Sequence, residues 1–155
     1  MTEIDFALQQ ENDTDIIELV GIVLWNKANN TGHFTKLSEA EKTFVYIDIF
    51  ESEINNNGLF GFFYNTSGEY AHEVLQAFTN INASESANIV ANAIRVFKNL
   101  PIPKNIFERR LEVKQLHKDD LKVWSQLEFK LIESKENIIK LLIDYIASRK
   151  TDFEY

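Results

Sequence analysis

Apolar residues recur at helical spacing along most of the chain, and no alternating run is long enough to compete as a strand. Ile16, Leu19, Val20, Val23 and Leu24 share one face over residues 14–28. Ser38 followed by Glu41 forms a capping-box signature and predicts a helix from there to about residue 55. Tyr70, Val74, Ala77, Phe78 and Ile81 form a stripe over 69–81, and Ile89, Val90, Ala93, Ile94 and Phe97 do so over 85–98. Past Pro101 and Pro103, Asn105 with Glu108 marks another start, and two further helices fit 118–132 and 136–149. The pattern predicts an all-α fold, a single-domain bundle of about seven helices.

The helix after Ser38 is apolar on two sides. Phe44, Ile47, Phe50 and Ile54 line one, and Val45 and Ile49 the other. Such a helix is expected at the centre of a bundle. Asp48, Glu51 and Glu53 would then be partly covered and need partners, for which Arg109 and Arg110 are the candidates.

The stretch NNNGLFGFFYNTSGEY, residues 55–70, reads as a corner. Asn57-Gly58 suits a positive-φ residue closing the central helix. One or two helical turns over 59–64 would turn Leu59, Phe62 and Phe63 inward. Thr66 with Glu69 offers a second capping box to open the next helix. A buried aromatic corner at 56–65 follows, with a ligand pocket as the rival reading.

Composition agrees with a folded domain spanning 1–155. The 155 residues are 45% hydrophobic and 12% aromatic, enough for a sizeable core. Without cysteine there can be no disulfide, thiolate metal site or Cys nucleophile. The start, MTEIDFALQQENDTD, lacks signal-peptide character, and the apolar run IIELVGIVLW is too short to span a bilayer. A soluble cytoplasmic protein is expected. The net charge of −8 is unevenly placed: residues 1–60 hold eleven acids and three bases, whereas 61–155 hold thirteen of each. Nucleic acid would be repelled from the first part and a basic partner attracted to it.

The run from Glu53 to Asn65, with SGEYAHEVLQAFTNINA and FKNLPIPKNIFERR after it, resembles the bacterial DNA-mimic protein family, whose core is otherwise known as a domain of unknown function. Glu53, Asn56, Gly58, Phe62, Phe63 and Asn65 match its corner motif, followed by Ala71, Ala77, Ile81, Ala83, the proline loop and Arg109. The likeness covers about residues 38–145. Asn57 stands where the family pattern has Gly, Leu59 for Phe, Gly61 for Gln and Asn82 for Gly. Asn tolerates a left-handed conformation, so the turns can survive. The resemblance implies an α-helical protein, and at least one member imitates DNA electrostatically to occupy a transcription factor's DNA-reading surface.

Three functions compete. A DNA mimic would set carboxylates at phosphate-like spacing, one charge per ~1.7 Å of duplex; Asp15 and Glu18, then Glu41 and Asp48, are the candidates. A protein-interaction domain, such as an inhibitor or adaptor, would use the same acids, with Trp25 as an apolar anchor. Glu18, Ile22 and Trp25 fall at i, i+4 and i+7, off the main stripe. Trp25 could instead pack under the neighbouring loop. A second copy of the chain is also an admissible partner. An enzyme is the weakest reading. His33, His72 and His117 are far apart, Glu69-x-x-His72 is half of a di-iron motif with no second half, and no phosphate loop or zinc signature occurs. The expectation is a non-catalytic, acidic protein-binding domain without metal or cofactor.

Overall fold

The computed structural model describes residues 1–31 and 34–153. Eight α-helices lie among them: α1 (Glu3–Leu8), α2 (Asp13–Thr31), α3 (Glu39–Tyr64), α4 (Ala71–Asn80), α5 (Ser84–Ile94), α6 (Ile106–Lys114), α7 (Lys118–Glu133) and α8 (Ile138–Ser148). There is no strand among the described residues, so the all-α reading holds. The first helix was not foreseen. Thr2 and Asp5 form a reciprocal capping box that starts it.

α3 is the central helix. It packs against α2, α4, α6 and α7, and its two apolar sides are both used: Phe44, Ile47 and Phe50 are buried, and so is Val45. The capping box at Ser38 and Glu41 forms as the sequence predicts. At Gly58 the backbone takes φ 68° and ψ −173°, then resumes as helix to Tyr64. Glycine is needed there twice over. The conformation disfavours a side chain, and a Cβ would strike the Glu128 carboxylate from α7. That carboxylate accepts the Leu59 N–H at 2.6 Å, taking up a donor freed where the helix restarts.

The corner beyond Gly58 is buried. Leu59, Phe62 and Phe63 have no exposed surface. Phe62 meets Phe50 and Phe63 edge-on, and Phe63 stacks on Trp124 at 4.8 Å between centroids. The chain then turns through a 3-10 segment, Thr66–Tyr70, instead of the second capping box expected at Thr66 and Glu69. Ser67 Oγ donates to the Phe62 carbonyl, and Gly68 lies against Arg109 Nε and the Phe63 carbonyl, which leaves no space for a side chain. The segment is wrapped around a guanidinium, so α4 starts only at Ala71. α5 likewise ends at Ile94, short of the expected residue 98, although Phe97 still enters the core.

Arg109 is wholly buried on α6. Nε donates to Phe63 O at 2.7 Å and Nη2 to Asn65 O at 2.8 Å, while Nη1 serves Pro103 O and Lys104 O at 3.0 and 2.9 Å. Arg110 Nε donates to Tyr64 O at 2.9 Å, with its guanidinium 4.6 Å from the Tyr64 ring centre. Two consecutive arginines therefore close the C-terminal carbonyls of α3, where a cation is also favoured by the helix dipole. This corrects the expectation that they pair with acids of the central helix. Asp48 accepts from Trp25 Nε1, and Glu53 Oε1 accepts from the Asn57 and Asn65 amides at 3.1 and 2.7 Å. Glu51 has no hydrogen bond or ion pair among the described residues. It borders a cavity of about 170 Å³ with Phe50, Phe78, Leu131 and Glu136, and burial, then the Asp48 charge, raises its pKa.

Phe63→Ala should cost about 3–5 kcal/mol of stability, read by denaturant unfolding. Arg109→Lys keeps the charge but cannot serve four carbonyls from one ammonium group in a fixed fork; a loss of roughly 2–4 kcal/mol is expected. Glu51→Gln should act in the opposite sense. A carboxyl with a folded pKa above its unfolded value contributes most below the unfolded value and loses that contribution as pH rises through the folded one. The variant should therefore melt higher than the parent at pH 7, and the two curves should converge as the pH falls to about 4.

Candidate interaction face

The acids proposed from the sequence divide into free and committed groups. Asp15 and Glu18 are exposed on the first half of α2 and form no ion pair among the described residues. Asp15, Glu18 and Ile22 follow one line along the helix, at i, i+3 and i+7. Glu41 does not belong with them. Its side chain is fully buried, accepts the Ser38 N–H at 2.8 Å and pairs with Lys27 Nζ at 3.0 Å. A capping carboxylate that also meets a cation beneath α2 cannot reach a partner. Asp48 is exposed, yet Oδ2 accepts the indole N–H of Trp25 at 2.6 Å.

Trp25 is half-buried, and its ring meets Phe34 edge-on at 5.9 Å. Phe34 belongs to the 3-10 turn Phe34–Lys36, so the indole packs under the neighbouring loop and is no free-standing anchor. Phe34, Tyr46 and Tyr70 continue the cluster, with centroids 5.4–6.0 Å apart. In front of it lies a cleft of about 400 Å³, walled by Trp25, Tyr70 and Ile49 and rimmed by Asp48, Glu53 and Glu69. Its polarity is acidic. Burial, then Glu73 and other neighbours, pushes the Tyr46 phenol up to about 12. Burial and then Glu69 also raise the Tyr70 phenol.

The corner-motif residues play structural parts. Gly58 sets the break, Phe62 and Phe63 fill the core, and Glu53 holds Asn57 and Asn65 together; Asn56 is exposed with no hydrogen bond among the described residues. Glu53 was expected to pair with Arg109 or Arg110, and it takes the side-chain amides of Asn57 and Asn65 instead. His72 is half-buried and accepts the Ile102 N–H at Nε2, 3.0 Å away, tying α4 to the proline loop. His117 is exposed at the start of α7, and His33 lies outside the described residues. Among the described residues no three His, Asp or Glu side chains converge in a metal-binding arrangement, and no helix is long and apolar enough to cross a membrane.

One feature of this face had a signal that the sequence reading passed over. The Thr2–Asp5 capping box precedes Phe6, and α1 folds back onto α2. Between the two helices runs an apolar groove of about 470 Å³, lined by Met1, Phe6, Leu19, Ile22 and Val23 with Thr2 and Glu3. The pair is anchored from behind: Lys150 of the C-terminal turn bonds to Asp5, whose carboxyl is held down at about 2, first by that hydrogen bond and then by Thr2.

Comparison with curated proteins and with solved structures returned no match. The family model described as DMP19-like protein matches residues 35–149, from the turn before α3 through the last residue of the main bundle. The match contains the Gly58 corner and the Arg109 lock, and it leaves α1 and α2 outside. On that match, which spans well over half of its length, the chain belongs to the DMP19-like protein family.

Proposed function

We propose that this protein is a non-catalytic binding domain whose acidic N-terminal part docks on a basic surface of a protein partner and modulates it. The observation that carries the reading is the sorting of the acids. Residues 1–60 hold the whole excess of −8, and within them Asp15 and Glu18 stand exposed and unpaired while Glu41 is spent inside. Uncompensated surface charge speeds encounter with an oppositely charged surface and orients it. The acidic cleft beside Trp25 adds a place where a lysine or arginine side chain can lie between aromatic walls and carboxylates.

Family membership favours a second reading, in which the partner's surface is a DNA-binding site and this chain takes the place of duplex DNA. Glu41 and Asp48 no longer support a phosphate-like row on α3, since one is buried and the other bonded to Trp25. A mimic surface would have to be built from α2 and other exposed acids.

The two readings part in one experiment. Wild-type chain and an Asp15→Lys, Glu18→Lys double variant are immobilised, and native lysate is passed over each at low and high salt. A protein with a basic surface should be retained by the wild type, released by salt, and lost or weakened about tenfold on the variant. Release of that protein by added duplex DNA supports the mimic; retention in its presence supports an inhibitor or adaptor surface. Equal capture by both chains would remove α2 from the interface.

A further inference from the structure

We propose that the groove between α1 and α2 receives an amphipathic helix from a cationic protein partner, its apolar side chains entering the groove and its lysines or arginines meeting the surrounding acids. The inference rests on the acidic-face reading above and adds the partner's chemistry and the mode of contact.

The groove is apolar where a surface is ordinarily polar. Phe6 and Ile22 are 56% and 58% exposed, and Leu19 and Val23 form the half-buried floor. Its volume of about 470 Å³ falls within the ~300–1,000 Å³ range of sites that accept several apolar groups. Two helices side by side offer a trough that suits side chains at i, i+3, i+4 and i+7 of a third helix.

Charge decides the occupant. Residues 1–26 contain six acids and no base. Glu3 lies in the groove wall, and Asp15 and Glu18 continue the line of Ile22 one and two turns earlier along α2. A second copy docked here about a two-fold axis would bring the same acidic patch against itself, because an isologous interface uses one surface on both subunits. An anionic lipid surface would be repelled for the same reason. A helix with a basic flank gains from both the apolar floor and the acidic rim. The groove also lies outside residues 35–149, the part of the chain that matches the family model.

The test uses the full chain and two labelled peptides of about 18 residues, one with leucines at i, i+3, i+4 and i+7 among lysines, the other with the same composition scrambled. Fluorescence anisotropy reads binding, and circular dichroism reads helix gained on binding. The patterned peptide should bind, become helical, and bind at least about tenfold more tightly than the scrambled one. Phe6→Ser and Ile22→Ser should each weaken it by about tenfold or more while leaving the chain's own melting curve nearly unchanged, since both side chains are more than half exposed. Equal binding of the two peptides would overturn the groove while leaving the acidic face standing. No binding of either would overturn both. A dimer seen by light scattering that Ile22→Ser splits would assign the groove to a second copy and overturn the proposal as well.

Discussion

The fold turns on one buried cation. Arg109 has no exposed surface, and its guanidinium meets four backbone carbonyls from two chain segments, with no carboxylate partner among its hydrogen bonds. Burial pushes its pKa down, and the nearby Glu69 charge works against that shift. The carbonyls it meets at Phe63 and Asn65 are those a helix end leaves without partners, and they carry the negative end of the α3 dipole. Charge and geometry are answered together. An acid in place of these carbonyls would itself need desolvation, which is why a buried ion pair is a weaker solution than it looks.

Much else follows from that position. The guanidinium requires the chain after Tyr64 to wrap around it, so Gly68 has no space for a side chain and residues 66–70 tighten into a 3-10 turn. It requires the loop carrying Pro103 and Lys104 to present carbonyls inward, and His72 and Lys104 hold that loop to α4 and to the turn before it. The aromatic wall of Phe62, Phe63 and Trp124 then shields the corner from water. Glu53 completes the polar side. Asn57 delivers an amide to Glu53, and the bare Gly61 leaves the space that the Asn57 side chain fills.

The helices, the central place of α3 and the burial of Phe62 and Phe63 were legible because apolar periodicity, capping boxes and the Asn-Gly turn are local signals. Asn82 illustrates how far such reasoning reaches: it takes φ 64°, the left-handed conformation that Asn tolerates. What was not legible was the pairing of polar groups across the fold. Composition could not tell that Arg109 would choose carbonyls over carboxylates, nor that Glu128 would leave α7 to take the Leu59 N–H across sixty-nine residues. Glu136 similarly accepts the Ser86 N–H at the start of α5 from fifty residues away. On the interaction face the limit was the same. Asp15 and Glu18 are as exposed as helix position suggests, whereas Glu41 and Asp48 sit at equally acidic positions and are claimed by Ser38, Lys27 and Trp25.

That sorting bears on what membership in this family conveys. Apart from the exposed Asn56, the corner residues and Arg109 serve backbone satisfaction, side-chain bracing and core packing, which place no demand on the rest of the surface. Among the described residues, the clearest carboxylates left exposed without an ion pair are Asp15 and Glu18 on α2, ahead of the matched region. The fold therefore travels with the motif, while the exposed charges and apolar side chains of α1 and α2 are not constrained by it. α1 and α2 contribute such charges with no compensating base before Lys27, and Lys27 itself is turned inward to Glu41. The N-terminal helices thus present to solvent an acidic and partly apolar surface, with Phe6 and Ile22 exposed beside Asp15 and Glu18.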